Sequence, residues 1–144
     1  MRLVLLLISI SLVAAACSEF PKDTEGTSEN VEASGMRLGW IEGDRDDRDI
    51  GSLVGSLERS TGRPARVEFG SAEMLLTELE AGKLDLVVGT FDAKSPWISR
   101  VTFSRPVAVH ERPYGTVEAK AAMRNGEHAW AVKVDEVVLK QAPK

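Results

Sequence analysis

The sequence predicts a single α/β lobe in three layers around a mostly parallel sheet, and three observations carry that reading. Leu84 to Val88 is a near-continuous apolar run, as expected of a strand covered on both faces. Upstream, Ile50, Leu53, Val54 and Leu57 recur at the i, i+3, i+4, i+7 spacing of an amphipathic helix. Strand and helix patterns then alternate along the chain, which implies parallel pairing through right-handed crossovers.

Each element has its own signal. Arg37 to Ile41 reads as a short strand, and the charged run around Asp44 to Asp49 supplies caps for the helix that follows. Thr61-Gly62 stops that helix and Pro64 reinforces the stop. Ala65 to Phe69 is a second strand. Ser71 opens a helix whose apolar stripe is Leu75, Leu76 and Leu79, and Gly82 supplies a left-handed stop. After the Leu84 to Val88 strand, Val107 to Val109 and Glu118 to Arg124 read as further strands, with Asn125-Gly126 as a turn. Trp130, Val134, Val137 and Val138 are spaced for one helical face, although the valines also permit a strand over 127–140.

In a parallel sheet of this kind, ligands bind beyond the carboxyl ends of the strands. Three segments reach that edge: Glu42 to Asp49, the Gly70-Ser71 turn, and Gly89 to Lys94.

The stretch Leu75 to Pro106, LLTELEAGKLDLVVGTFDAKSPWISRVTFSRP, carries more information. A leucine helix is followed by Gly-Lys-x-Asp-apolar-apolar, a small-polar loop and Phe-Ser-x-Pro. Leu79, Gly82, Lys83, Asp85, Leu86, Val87, Val88, Thr90, Phe103, Ser104 and Pro106 match this order. It resembles the first lobe of the periplasmic solute-binding proteins, the amino-acid-type (family 3) substrate-binding components of ABC importers. The resemblance implies a type II periplasmic-binding-protein half. In the family a second lobe follows Phe-Ser-x-Pro, but here only His110 to Thr116 separates that exit from what looks like the return, Ala121 to Glu127. Two lobes trap a solute by hinge closure. One lobe alone implies an open shelf and weak or partner-dependent binding.

The resemblance also assigns cleft positions. Trp40, Glu42, Gly89, Thr90, Asp92, Lys94 and Trp97 are the ligand-binding candidates. Trp97 stands where amino-acid binders carry the arginine that holds the ligand carboxylate, and Arg100 lies three residues beyond it. The loop after the first strand reads Glu42-Gly43-Asp44 instead of the usual Pro-Pro-aromatic element. Bidentate guanidinium pairing is hard to replace, so the solute is not expected to be an amino acid held in the usual mode. Two other chemistries fit the residues. N–H groups near Ser95 and Pro96, with Lys94, suit a small anion, or else form a plain capped turn. Trp40 and Trp97 suit a flat or cationic ligand assisted by Asp92 and Glu42, or else are core and interface residues.

The N-terminus carries an address. Residues 1–17 read as a lipoprotein signal: Arg2, the apolar run Leu3 to Ala16, then small residues before Cys17, the only cysteine. The run spans about 21 Å as a helix, short of the roughly 30 Å core of a bilayer. A lone thiol has no disulfide partner in the chain, which favours a lipidated Cys17 over an ordinary secretory signal with a cysteine nearby. The protein is then expected in the periplasm or cell envelope, anchored by lipid, at the outer membrane if the cell has two; Ser18 fits that sorting. Residues 18–35 are polar and acidic and read as a flexible tether spanning about 20–25 Å. Residues 36–144 form the lobe.

Several chemistries are excluded. With 18 basic and 22 acidic side chains the net charge is −4, and no basic stripe suits nucleic acid. An EF-hand reading from Asp44 fails, since position six would be Asp49 and position twelve Gly55. His110 and His128 lack zinc-ligand spacing and read as surface groups. No phosphate loop, nucleophile elbow or HExxH motif is present. The expectation is therefore no enzyme, no cofactor and no metal. It is a lipid-anchored solute-binding-type protein of uptake or sensing beside a membrane permease or other envelope partner. The alternative is a single-lobe interaction module that has lost solute capture and binds protein.

Overall fold

The central strands pair as the apolar patterns require. The computed structural model describes residues 20–141. Its elements are α1 (Thr27–Ser34), β1 (Arg37–Ile41), a 3₁₀ turn (Glu42–Asp44), α2 (Arg48–Thr61), β2 (Arg66–Gly70), α3 (Ala72–Glu80) and β3 (Leu86–Asp92), followed by a 3₁₀ turn (Pro96–Ser99), β4 (Val101–Phe103), β5 (Ala108–Arg112), β6 (Gly115–Arg124) and α4 (His128–Gln141). Strands run in the order β2-β1-β3-β6-β4, and β5 also pairs with β6. β1 is parallel to both β2 and β3, whereas β6 runs antiparallel to β3, β4 and β5. The first three strands are thus parallel as expected, and the returning chain makes the sheet mixed.

Side chains alternate across the sheet and bury two cores. On one face Leu38, Leu86, Val88, Ala119, Ala121 and Met123 meet Ile50, Leu53, Val54 and Leu57 of α2 and Trp130, Val134, Val137 and Val138 of α4. On the other, Val87, Phe91 and Ala122 meet Leu75, Leu76 and Leu79 of α3. The segment His128–Gln141 is therefore helix: Val134, Val137 and Val138 share its buried face with Trp130, while Val132 points to solvent.

The Gly-Lys-x-Asp motif has a structural cause. Gly82 is left-handed at φ 74° and its carbonyl accepts from Arg37 Nη1 at 2.9 Å. Asp85, 5% exposed, accepts from the Arg37 amide at 2.8 Å, Nε at 3.0 Å and Nη2 at 2.5 Å. This carboxylate holds the Arg37 guanidinium above its ordinary range, against the opposing effect of burial. Trp130 Nε1 donates to the Asp85 carbonyl at 2.9 Å, so β1, β3 and α4 meet at one residue.

Two expectations are corrected. The stretch read as a flexible tether contains α1, and Val31 is fully buried in the larger core. Composition alone hid this, because one buried valine is joined by two carboxylates, Asp23 and Glu127. Glu127 accepts from the amides of Glu25 at 2.9 Å and Thr27 at 3.0 Å. Asp23 accepts from the amides of Ser28 at 2.7 Å and Trp130 at 2.9 Å. Each carboxylate satisfies orphan donors at a helix N-terminus. Cys17 and the signal reading lie outside the described residues.

The second correction concerns Gly89 to Lys94, expected as a loop. β3 continues through Asp92 because β6 pairs along it, with Gly89, Thr90, Phe91 and Asp92 opposite Lys120, Ala119, Glu118 and Val117.

Candidate functional site

β1 and β3 pair only as far as Trp40 opposite Val88. Beyond that point β1 turns away into Glu42–Asp44 while β3 runs on, and the gap between them is the crevice at the strand ends. Thr90 has the β6 partner Ala119 on one side, so its amide faces the gap. Asp44 fills it: Oδ2 accepts from Thr90 N at 2.6 Å. Two donors fix the Asp44 carbonyl, Trp40 Nε1 at 3.0 Å and Asp47 N at 3.1 Å. The turn is also clamped from below. A Cβ added to Gly89 would lie 2.4 Å from Ile41 Cδ1, so the absence of a side chain at Gly89 is what seats Ile41.

The predicted residues divide between the two faces of the sheet. Trp40 is half-buried, packs on the larger core and lies 6.1 Å from the Phe69 ring. Thr90 is half-buried, while Glu42, Asp92 and Lys94 are exposed around the crevice rim. The turn after Asp92 stays on β6 through Ala93 N to the Thr116 carbonyl at 3.0 Å, and Lys94 follows it. Trp97 stands on the other side. It packs against the α3 core and lines a shallow cavity of about 370 Å³ with Glu73, Pro96 and Arg100. Ser95 caps this turn, accepting from Trp97 N at 3.3 Å, with Pro96 at the first turn position. The Arg100 guanidinium lies 4.2 Å over the Trp97 ring and is paired to Glu80 through both of its carboxylate oxygens. Arg100 is therefore committed within the chain. Trp40, Asp44 and Thr90 come together; Trp97 is separated from them by the sheet.

Two features were not singled out from the sequence. Asp44 reads as part of the loop after the first strand and of a charged capping run, not as a site residue, and only its position four residues after Trp40 bears on the contact. Lys120 is 5% exposed, pairs with Glu118 at 2.6 Å and lies 4.4 Å over the Phe103 ring. Its place in an apolar strand, AKAAM, was the available signal.

Where a second lobe would depart, the chain folds back as the β5–β6 hairpin. Residues Ala108 to Arg112 lie along Gly115 to Ala119, and Tyr114 at the tip is fully exposed. Among the described residues no helix is long and apolar enough to cross a membrane, and no group of three or more His, Cys, Asp or Glu is placed to hold a metal ion.

No protein-family model and no curated protein sequence matches this chain. Solved structures do. The arginine-bound form of domain 1 from TmArgBP aligns with a TM-score of 0.64 at 14% identity, covering 77% of this chain and 97% of that one. An ancestral cationic amino acid solute-binding protein aligns at 0.66 and 10% identity, covering 79% and 93%. An amino acid ABC transporter substrate-binding protein from Streptococcus pneumoniae, bound to L-arginine, aligns at 0.65 and 12% identity, covering 79% and 91%. The parallel β1–β3 core, the antiparallel return and these alignments agree: the chain has the fold of the first lobe of amino-acid-type periplasmic binding proteins.

Proposed function

We propose that the protein is an extracytoplasmic solute-binding-type lobe, anchored by lipid at Cys17, that serves uptake or sensing and captures a small solute weakly or with a partner's help. The observation that carries this reading is the crevice between β1 and β3, at the strand ends of a fold shared with solute-binding proteins. The arginine-bound form of TmArgBP domain 1 is a precedent for one lobe holding a solute. An open shelf buries less of its ligand than a closed clamshell, so a dissociation constant weaker than about 1 μM is expected. The rim residues Glu42, Asp92 and Lys94 with Trp40 and Thr90 are the contacts we assign, with Trp97 at most peripheral. Binding, not catalysis, suits a site without a paired acid and base held in different environments.

Tryptophan fluorescence titrated with amines, amino acids and carboxylates tests the reading. A saturable change is expected that Trp40→Phe abolishes; no change with any class would remove the solute-binding reading. Cys17→Ser is expected to move the protein from the membrane to the soluble fraction, and an unchanged distribution would count against the anchor.

A second reading, a protein-binding lobe that has lost solute capture, is favoured by the hairpin. Tyr114 is fully exposed and Val109 is 53% exposed where a second lobe would otherwise begin.

A further inference from the structure

We propose that Asp44 is a built-in plug that occupies the anion position of the crevice and closes it to carboxylate ligands. The inference rests on the crevice reading above and adds a residue to it. Thr90 N–H is the donor that β1 leaves unpaired when it diverges from β3. An unpaired backbone donor at a crevice mouth is where a ligand's negative oxygen binds. Here that oxygen belongs to the chain itself, with Asp44 Oδ2 at 2.6 Å.

The plug is preorganised. Asp44 sits at the end of a one-turn 3₁₀ segment, and its carbonyl is held by Trp40 Nε1 and Asp47 N. Ile41, three residues earlier, is locked into the space over Gly89. Asp47 in turn caps α2, accepting from the amides of Asp49 at 2.9 Å and Ile50 at 3.0 Å. The loop is thus fastened at Ile41, Asp44 and Asp47, and the carboxylate reaches Thr90 without loss of freedom on folding around a ligand. An incoming carboxylate competes with an intramolecular one at high effective concentration. It also meets the negative charge of Asp44 itself.

Removing the plug reverses the preference. Asp44→Ala frees the Thr90 amide, and a charge-assisted contact of this kind corresponds to about a ten- to hundredfold gain in affinity for a simple carboxylate. Asp44→Asn keeps an acceptor and the loop geometry but removes the charge, and is expected to fall between wild type and Asp44→Ala. It also covers the case in which Asp44→Ala fails to fold.

The experiment follows the Thr90 amide by ¹H–¹⁵N correlation NMR on the chain from Ser18, with sodium acetate as probe and ethylammonium chloride as the salt and charge control. In the wild type, acetate is expected to leave the Thr90 resonance in place. In Asp44→Ala, and more weakly in Asp44→Asn, the resonance is expected to shift saturably with acetate and not with ethylammonium. Equal acetate response in wild type and variants overturns the proposal. So does a Thr90 amide that exchanges faster with solvent in both variants yet never responds to acetate. Neither outcome depends on the natural solute, so failure here is separable from failure of the fluorescence screen.

Discussion

Asp85 meets three donors of Arg37, while its backbone carbonyl takes the Trp130 indole. Its carboxylate is almost fully buried, whereas 40% of the Arg37 side chain reaches solvent. Removing the acid therefore leaves an Arg37 head that can rehydrate, but a backbone amide that cannot. Asp85→Ala is expected to cost about 2–3 kcal/mol in urea unfolding, below the 3–5 typical of a sealed pair. Asp23 gives a pH signature. Burial pushes its carboxyl upward, but hydrogen bonding to Ser28 and to the amides of Trp130 and Ala129 outweighs burial and holds it below the usual range. A carboxyl lowered in the folded state stabilises the fold fully above the unfolded value, about pH 4, and the contribution disappears as pH falls through the folded value. Asp23→Asn is expected to lower stability at neutral pH by about 1 kcal/mol and to flatten the acid limb of a stability–pH curve. An unchanged acid limb would assign it to other carboxylates.

Among elements, α1 is the clearest departure from the sequence reading. Polar composition predicts a tether, but Val31 is buried and the helix N-terminus is held by Glu127, a hundred residues away. Deleting residues 20–34 is expected to lower the urea midpoint markedly, because the larger core would lose Val31 and the N-terminus of α4 would lose its Asp23 cap; a true tether would leave the midpoint unchanged. Strands β1 to β3 were legible because their signals are local: apolar runs, a helical period and a glycine stop. α1 was not, because its capping carboxylates come from distant sequence. The same holds for the crevice. Its location follows from topology, but the Asp44–Thr90 contact depends on where β1 leaves β3, which no spacing encodes. The Phe-Ser-Arg-Pro motif was visible as a resemblance, and the structure supplies its cause. The outer strand breaks between β4 and β5, and Ser104, 6% exposed, accepts from Ala121 N at 3.0 Å where no backbone acceptor is available. Ser104→Ala strands that amide and is expected to cost about 1–3 kcal/mol, measured as a shift in the urea midpoint.

For the whole molecule, the two ends of the sheet have different tasks. Asp23 bridges Glu127, beyond the Arg124 end of β6, while the crevice lies at the other end, beside Val117 and Asp92. Val117 and Arg124 lie seven residues apart along β6, so these ends are about 24 Å apart. With an anchor at Cys17, only five residues would lie between the lipidated cysteine and Asp23, a reach of about 20 Å at most. A fluorophore at Phe20→Cys is then expected to be quenched by bilayer-embedded spin labels, and one at Tyr114→Cys is not; equal quenching would reject a fixed upright posture. Anchored at Cys17 on so short a leash, the lobe would stand on its floor like a cup on a table, with its rim toward the compartment. A transporter in the same bilayer would see the underside of the cup, so hand-over would require the lobe to tip over, whereas a partner arriving from above would meet the rim directly.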